Sequence, residues 1–247
     1  KLWADPADLA VIEAVPARRA ELAAAFPGVG VHDTIVPGVD AIVAVKPDAV
    51  EGVCRALGAA RVGRVLSIAA GVTIARLENS LATSAAVVRA MPNTPSLVGL
   101  GAAAISGGTH AGPDDRAWAE SILSSVGTVE VLDESLLDAV TGLSGSGPAY
   151  VFLLAEALIA AGVAAGLPAE VSVRLTEQTL LGASTLLSAS ADPPEVLRRN
   201  VTSPGGTTAA GLAVFDAAGF RDIVTDVVLA ATARSRELGR VTGSGEG

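Results

Sequence analysis

A chain of 247 residues, half of them apolar, is long enough to bury a sizeable core in one large domain or two ordinary ones. Its 17 Lys and Arg against 26 Asp and Glu leave a net charge of −9 with no basic run, which argues against nucleic acid or an anionic membrane as a partner. The single cysteine, Cys54 in "GVCRAL", excludes an intrachain disulfide and reads as a buried apolar filler. The two histidines, His32 and His110, stand alone and offer neither a metal site nor a histidine-based triad.

In chain order, β-type runs at "DLAVI" (8–12), "AIVAV" (41–45), "RVLSIA" (64–69), "AVVRAM" (86–91), "GAAAIS" (101–106) and "TVEVL" (128–132) alternate with helical stretches. Those stretches cover 18–26, a helix from Asp48, 74–81 and 114–126. Apolar strands alternating with helices predict an α/β domain, a parallel sheet covered on both faces. After Asp133 the β signal stops, and helices are predicted over 134–140, 149–165, 170–187, 194–200, 209–218 and 220–238. Residues 1–132 are therefore expected to form a dinucleotide-binding type of domain and 133–247 an all-helical one, with the tail 239–247 frayed. "VFLLAEALIAAGVAAGL" (151–167) is apolar nearly all round but interrupted by Glu156, and is read as a helix covered by a second copy of the chain rather than as a membrane span. With no visible signal peptide, a cytoplasmic protein is expected.

Ligands of open α/β sheets bind beyond the carboxyl ends of the strands. Here those ends carry Lys46-Pro47, Ala70-Gly71 and Met91-Pro92-Asn93-Thr94-Pro95, mostly short or unbranched residues where a planar ligand could approach the backbone. The glycine-rich turn G-x-G-x-x-G is absent from the first hundred residues. In "GLSGSGPAY" (142–150), Pro148 is expected to open the long apolar helix, with the hydroxyls of Ser144 and Ser146 facing outward. "TSPGGTTAAG" (202–211) repeats the device: Thr207 or Thr208 caps a helix from Ala209, leaving amide hydrogens free for an anion. With no basic side chain in that stretch, a small carboxylate suits it better than a phosphate.

"AVKP" (44–47), "AAGVTI" (69–74), "VVRAMPNTP" (87–95), "ILSSVGTV" (122–129), "DAVTGLSGSGPAYVF" (138–152), "GVAAGLP" (162–168) and "VTSPGGTTAAGL" (201–212) together resemble the pyrroline-5-carboxylate reductases. The resemblance implies a Rossmann-like domain for NADPH or NADH and a helical domain that interlocks two subunits, as a homodimer or a ring of dimers. The implied reaction is reduction of 1-pyrroline-5-carboxylate to L-proline, the last step of proline biosynthesis. Carried over by motif, Ala44, Val45, Lys46, Pro47, Ala69, Ala70 and Gly71 line the cofactor, with Met91, Pro92 and Asn93 near its nicotinamide ribose and Asn200 also in contact. Ser144, Gly145, Gly205, Gly206 and Thr207 hold the substrate, Thr208 is the hydroxyl near its ring nitrogen, and Ser146 is the second candidate for that role.

The family's opening strand, glycine turn and helix do not match the first residues here, and residues upstream of Lys1 are expected to carry them. Cofactor choice stays open, since Glu13 could accept a ribose hydroxyl while Arg18 and Arg19 could meet a 2′-phosphate. Two alternatives stand beside this reading: a related reductase acting on another small carboxylated imine or ketone, and a non-catalytic helical dimerisation protein with a degenerate nucleotide fold.

Overall fold

The computed structural model describes residues 3–241, so the end of the predicted frayed tail, 242–247, lies outside the described residues. The chain divides into two compact units, one built from the chain up to Ser146 together with the part from Leu229 onward, the other from Gly147–Val228.

The first unit begins with β1 (Ala10–Ile12), α1 (Pro16–Ala25) and β2 (Gly30–His32), the two strands pairing in parallel as a sheet of their own. A five-stranded sheet follows, from β3 (Ala41–Val43), β4 (Arg64–Ser67), β5 (Ala86–Met91), β6 (Gly101–Gly107) and β7 (Gly127–Val131), hydrogen-bonded in that order. Helices α2 (Val50–Ala59), α3 (Ile74–Leu81) and α4 (Pro113–Ser124) connect it. Successive strand residues point to opposite faces, and the core obeys that rule. Val43, Val65 and Val87 join Val50, Cys54 and Leu57 of α2 and Leu77 and Leu81 of α3. Their neighbours Leu66 and Val88 join Ile105, Ala119 and Leu123 on the other face.

Within the larger sheet, β3-β4-β5 run side by side and parallel in chain order, as the second half of a dinucleotide fold does, while β1 and β2 form a separate parallel pair. The predicted parallel sheet has one exception, since β6 runs antiparallel to β5. Only 92–100 join them, with a short 3-10 turn, Thr94–Val98. A parallel crossover needs about a dozen residues. The three-residue β2 went unpredicted because so short a run carries no readable alternation.

Residues 134–146 pack with the first unit, so the compact units part at Ser146 rather than at the expected 132/133. The reason is packing: Leu137 is fully buried and Glu134 bonds to β5 and α3. The returning chain adds to it through Ser235, whose hydroxyl donates to the Asp138 carboxylate at 2.7 Å. From Glu134 the backbone passes through a 3-10 turn, α5 (Leu137–Val140) and a π-helical turn (Thr141–Gly145) into α6 (Gly147–Ala164).

The helical unit holds α6, α7 (Ala169–Ala189), α8 (Pro194–Asn200), α9 (Thr207–Ala217) and the start of α10 (Phe220–Val241). Neither α6 nor α9 has a single buried residue. Val151, Phe152, Leu153 and Leu154 follow one another on α6 and are all exposed, Phe152 at 63% and Leu153 at 65%. Four successive helical positions sweep almost the full circumference, so no one face is the covered one. By length and composition alone, Glu134–Ala164 could cross a membrane. Its first part is fixed in the first unit by Leu137, Glu134 and Asp138.

Candidate active site

The carboxyl ends of the adjacent parallel strands β3, β4 and β5 fall on one edge of the sheet. Ala44, Val45 and Lys46 follow β3 and are exposed, with Pro47 opening a 3-10 turn behind them. After β4, Ala69 is buried and Ala70 exposed, while Leu238 and Gly239 of α10 lie against Gly71. At the end of β5, Met91, Pro92 and Asn93 are half-buried. The strand ends thus present short side chains and one free lysine, a surface that fits the flat face and anionic linker of a dinucleotide.

Asn93 is more committed than the sequence indicates. Its Nδ2 donates to the Ser144 carbonyl at 3.0 Å, and its Oδ1 accepts the Ala102 N–H at 2.9 Å. Met91 reaches the same turn, its Cε lying 2.5 Å from where a Cβ on Gly145 would stand.

That turn departs from expectation. Pro148 does not open a fresh helix; it sits in the second position of α6, which continues the π-helical turn. Ser144 does not direct its hydroxyl outward but donates it to the Val140 carbonyl at 3.1 Å, and the Ser146 N–H donates to the Thr141 carbonyl at 2.8 Å. A run of hydrogen-bonded turns had already begun upstream, and side-chain hydroxyls within such a run bond back to the carbonyl four residues earlier. π-Turns of this kind concentrate at functional sites.

In the helical unit, α9 begins two residues before the expected Ala209, with Gly206 as its cap residue and no side-chain cap. Thr207 and Thr208 are accordingly its first helical residues, not its caps. The first bond to the cap carbonyl comes from Ala210 N–H at 3.1 Å, so the amides of Thr207, Thr208 and Ala209 have no acceptor within the helix. Gly205 holds φ at +70°, the left-handed turn that brings the chain round to that start. Basic side chains stand closer than the local sequence indicates: Arg198 and Arg221 line a depression with Thr202 and Ala209. Asn200 is the exposed last residue of α8.

Glu13 accepts the Val15 N–H at 2.8 Å, and Arg19 donates to the carbonyls of Glu13 and Ala14 at 2.7 and 2.9 Å. Arg18 pairs with Glu21 on the surface. Arg19 therefore shapes the turn after β1. Trp118 packs in the core under the Arg64 guanidinium, 5.0 Å from the ring centre.

One polar network was missed in the sequence. Arg89, with 7% of its side chain exposed, pairs with Glu134 at 2.8 Å, and the same carboxylate oxygen accepts the Ile74 N–H at 2.7 Å at the start of α3. An arginine inside the apolar run "AVVRAM" is the signal that could have exposed it, because a charge at an interior strand position needs a partner.

The family model for pyrroline-5-carboxylate reductase dimerisation matches residues 134–238. A pyrroline-5-carboxylate reductase of Synechocystis is 46% identical over 200 residues, 81% of this chain and 74% of the relative. A solved pyrroline-5-carboxylate reductase of Coxiella burnetii superposes with a TM-score of 0.88 at 34% identity, covering 95% of this chain and 89% of the other. The Plasmodium falciparum enzyme, solved with NADP bound, gives 0.73 at 35% identity over 80% of each chain. A two-domain backbone shared over that length, with the strand-end turns and the "SPGGTT" loop in family order, makes this chain a member of the pyrroline-5-carboxylate reductase family.

Proposed function

We propose that this protein is an NADPH- or NADH-dependent oxidoreductase that reduces 1-pyrroline-5-carboxylate to L-proline, closing proline biosynthesis in the cytoplasm. The observation that carries the reading is the start of α9, where three successive amide hydrogens lie open at the positive end of a helix. They suit the substrate carboxylate, with Gly205 and Gly206 keeping side chains out of its way and Arg198 adding positive potential nearby.

Ala44 to Pro47, Ala69 to Gly71, Met91 and Pro92 hold the dinucleotide along the strand ends, with Asn200 as a further contact. When bound, the reduced nicotinamide supplies a hydride to the imine carbon. The ring nitrogen must carry a proton as it becomes an amine. Thr208, beside the carboxylate-binding amides, orients that nitrogen and relays the proton from water, and Ser146 is the second candidate. Ser144, Gly145 and Thr207 complete the substrate contacts. No strong base is needed, so positioning carries most of the catalysis.

Assembly follows from the same chain. The exposed apolar circumference of α6 is covered by a second copy, giving a homodimer or a ring of dimers. The net charge of −9 disfavours nucleic acid, and α6 is assigned to the interface between copies rather than to a membrane. The test is consumption of NADPH or NADH by the purified protein, with the proline formed measured alongside. Oxidation of neither cofactor in the presence of pyrroline-5-carboxylate refutes the proposal.

A further inference from the structure

One side chain meets backbone groups at two places, accepting the Ala102 N–H past the end of the β5–β6 ladder and donating to the Ser144 carbonyl that Pro148 leaves without its helical donor. Pro92 follows the last bridge between β5 and β6, Met91 to Ala104. If the register is carried on, Asn93 stands opposite Ala102, and the Ala102 N–H is taken by the Asn93 side chain. Pro148 stands four residues after Ser144, so the ordinary helical donor to the Ser144 carbonyl is missing. Asn93 Nδ2 supplies it at 3.0 Å. An asparagine amide has a donor end and an acceptor end, so it can serve both partners at once.

We infer that Asn93 is a positioning residue, pinning the π-helical turn 141–145 to the end of β5 and so setting where Ser146 stands relative to the Met91-Pro92 strand end. The inference rests on the proposed reductase activity for its catalytic meaning, but the pin itself is a statement about two hydrogen bonds. The second Nδ2 hydrogen and second Oδ1 lone pair leave room for the expected approach to the nicotinamide ribose.

Asn93→Asp tests it, because the carboxylate still accepts from Ala102 and can no longer donate to Ser144. Amide hydrogen exchange at 141–147 is expected to speed up about tenfold, the factor that follows from losing one ordinary hydrogen bond, while exchange at 64–70 stays as in the parent. The KM for pyrroline-5-carboxylate is expected to rise by about the same factor, with the Kd for NADPH, read by nicotinamide fluorescence, within about twofold. Adding Pro148→Ala returns a local backbone donor to the Ser144 carbonyl but no tie to β5, so exchange at 141–147 is expected to stay fast. Unchanged exchange at 141–147 in Asn93→Asp, full recovery in the double variant, or a Kd for NADPH that weakens as much as the substrate KM overturns the inference. An inactive parent protein would refute the reductase reading alone, since exchange still decides the role of Asn93.

Discussion

Glu134→Ala should be the most damaging single change in the link between β5 and the segment that leads to the site. The Glu134 carboxylate is 32% exposed and the Arg89 side chain only 7%, so removing the acid leaves a guanidinium buried without its partner. Breaking a buried pair from one side costs about 3–5 kcal/mol, and water reaching Glu134 puts this case near the lower figure. The lost acceptor for the Ile74 N–H adds about 1 kcal/mol. The whole effect is then about 4 kcal/mol. Arg89→Met, by contrast, fills the same space and leaves a carboxylate that keeps Ile74 and meets water, for about 1 kcal/mol or less. The double variant should cost about 2 kcal/mol, less than Glu134→Ala alone. Urea unfolding at fixed protein concentration reads this well, because both tryptophans, Trp3 and Trp118, lie in the first unit. A loss below about 1 kcal/mol for Glu134→Ala, or a larger loss for Arg89→Met, would refute the assigned asymmetry.

Other consequences follow from single positions. Thr208→Val keeps the shape and the α9 amides but removes the hydroxyl, so kcat should fall about ten- to a hundredfold with the substrate KM nearly unchanged, in steady-state kinetics. Leu153→Glu places a charge on the most exposed stretch of α6, and sedimentation should show the assembly dissociating to single chains, where the parent remains associated. Burial pushes the Cys54 thiol up to about 11 from an ordinary 9.0. Its contribution is intact below pH 9 and is lost as pH rises towards 11, because the unfolded chain ionises first. Urea titrations over that window should show a steeper loss of stability for the parent than for Cys54→Ala.

The alternation of apolar strands and helices made the first unit readable, because fully buried strands such as "AVVRAM" are apolar on both faces. What escaped reading was set by distance in sequence. Asn93 and Ser144 are 51 residues apart, Arg89 and Glu134 45 apart, and no local pattern announces either pair. The π-turn was hidden for a different reason. Serines and glycines before Pro148 read as a helix start, whereas Leu137 had already anchored a helical run upstream. At α9 the composition was enough to locate the free amides, and only the choice of cap was displaced, from threonine to Gly206.

The central claim, that the α9 amides grip the substrate by its acid group, is tested most directly by comparing 1-pyrroline-5-carboxylate with 1-pyrroline, the same imine without the carboxylate. Charge-assisted hydrogen bonds contribute about 1.5–3 kcal/mol each, so two or more should separate the substrates by at least about a hundredfold in kcat/KM. A preference of that size that collapses in a Gly205→Ala variant, whose left-handed turn is strained, is the predicted result. Equal kcat/KM for the two imines would contradict it.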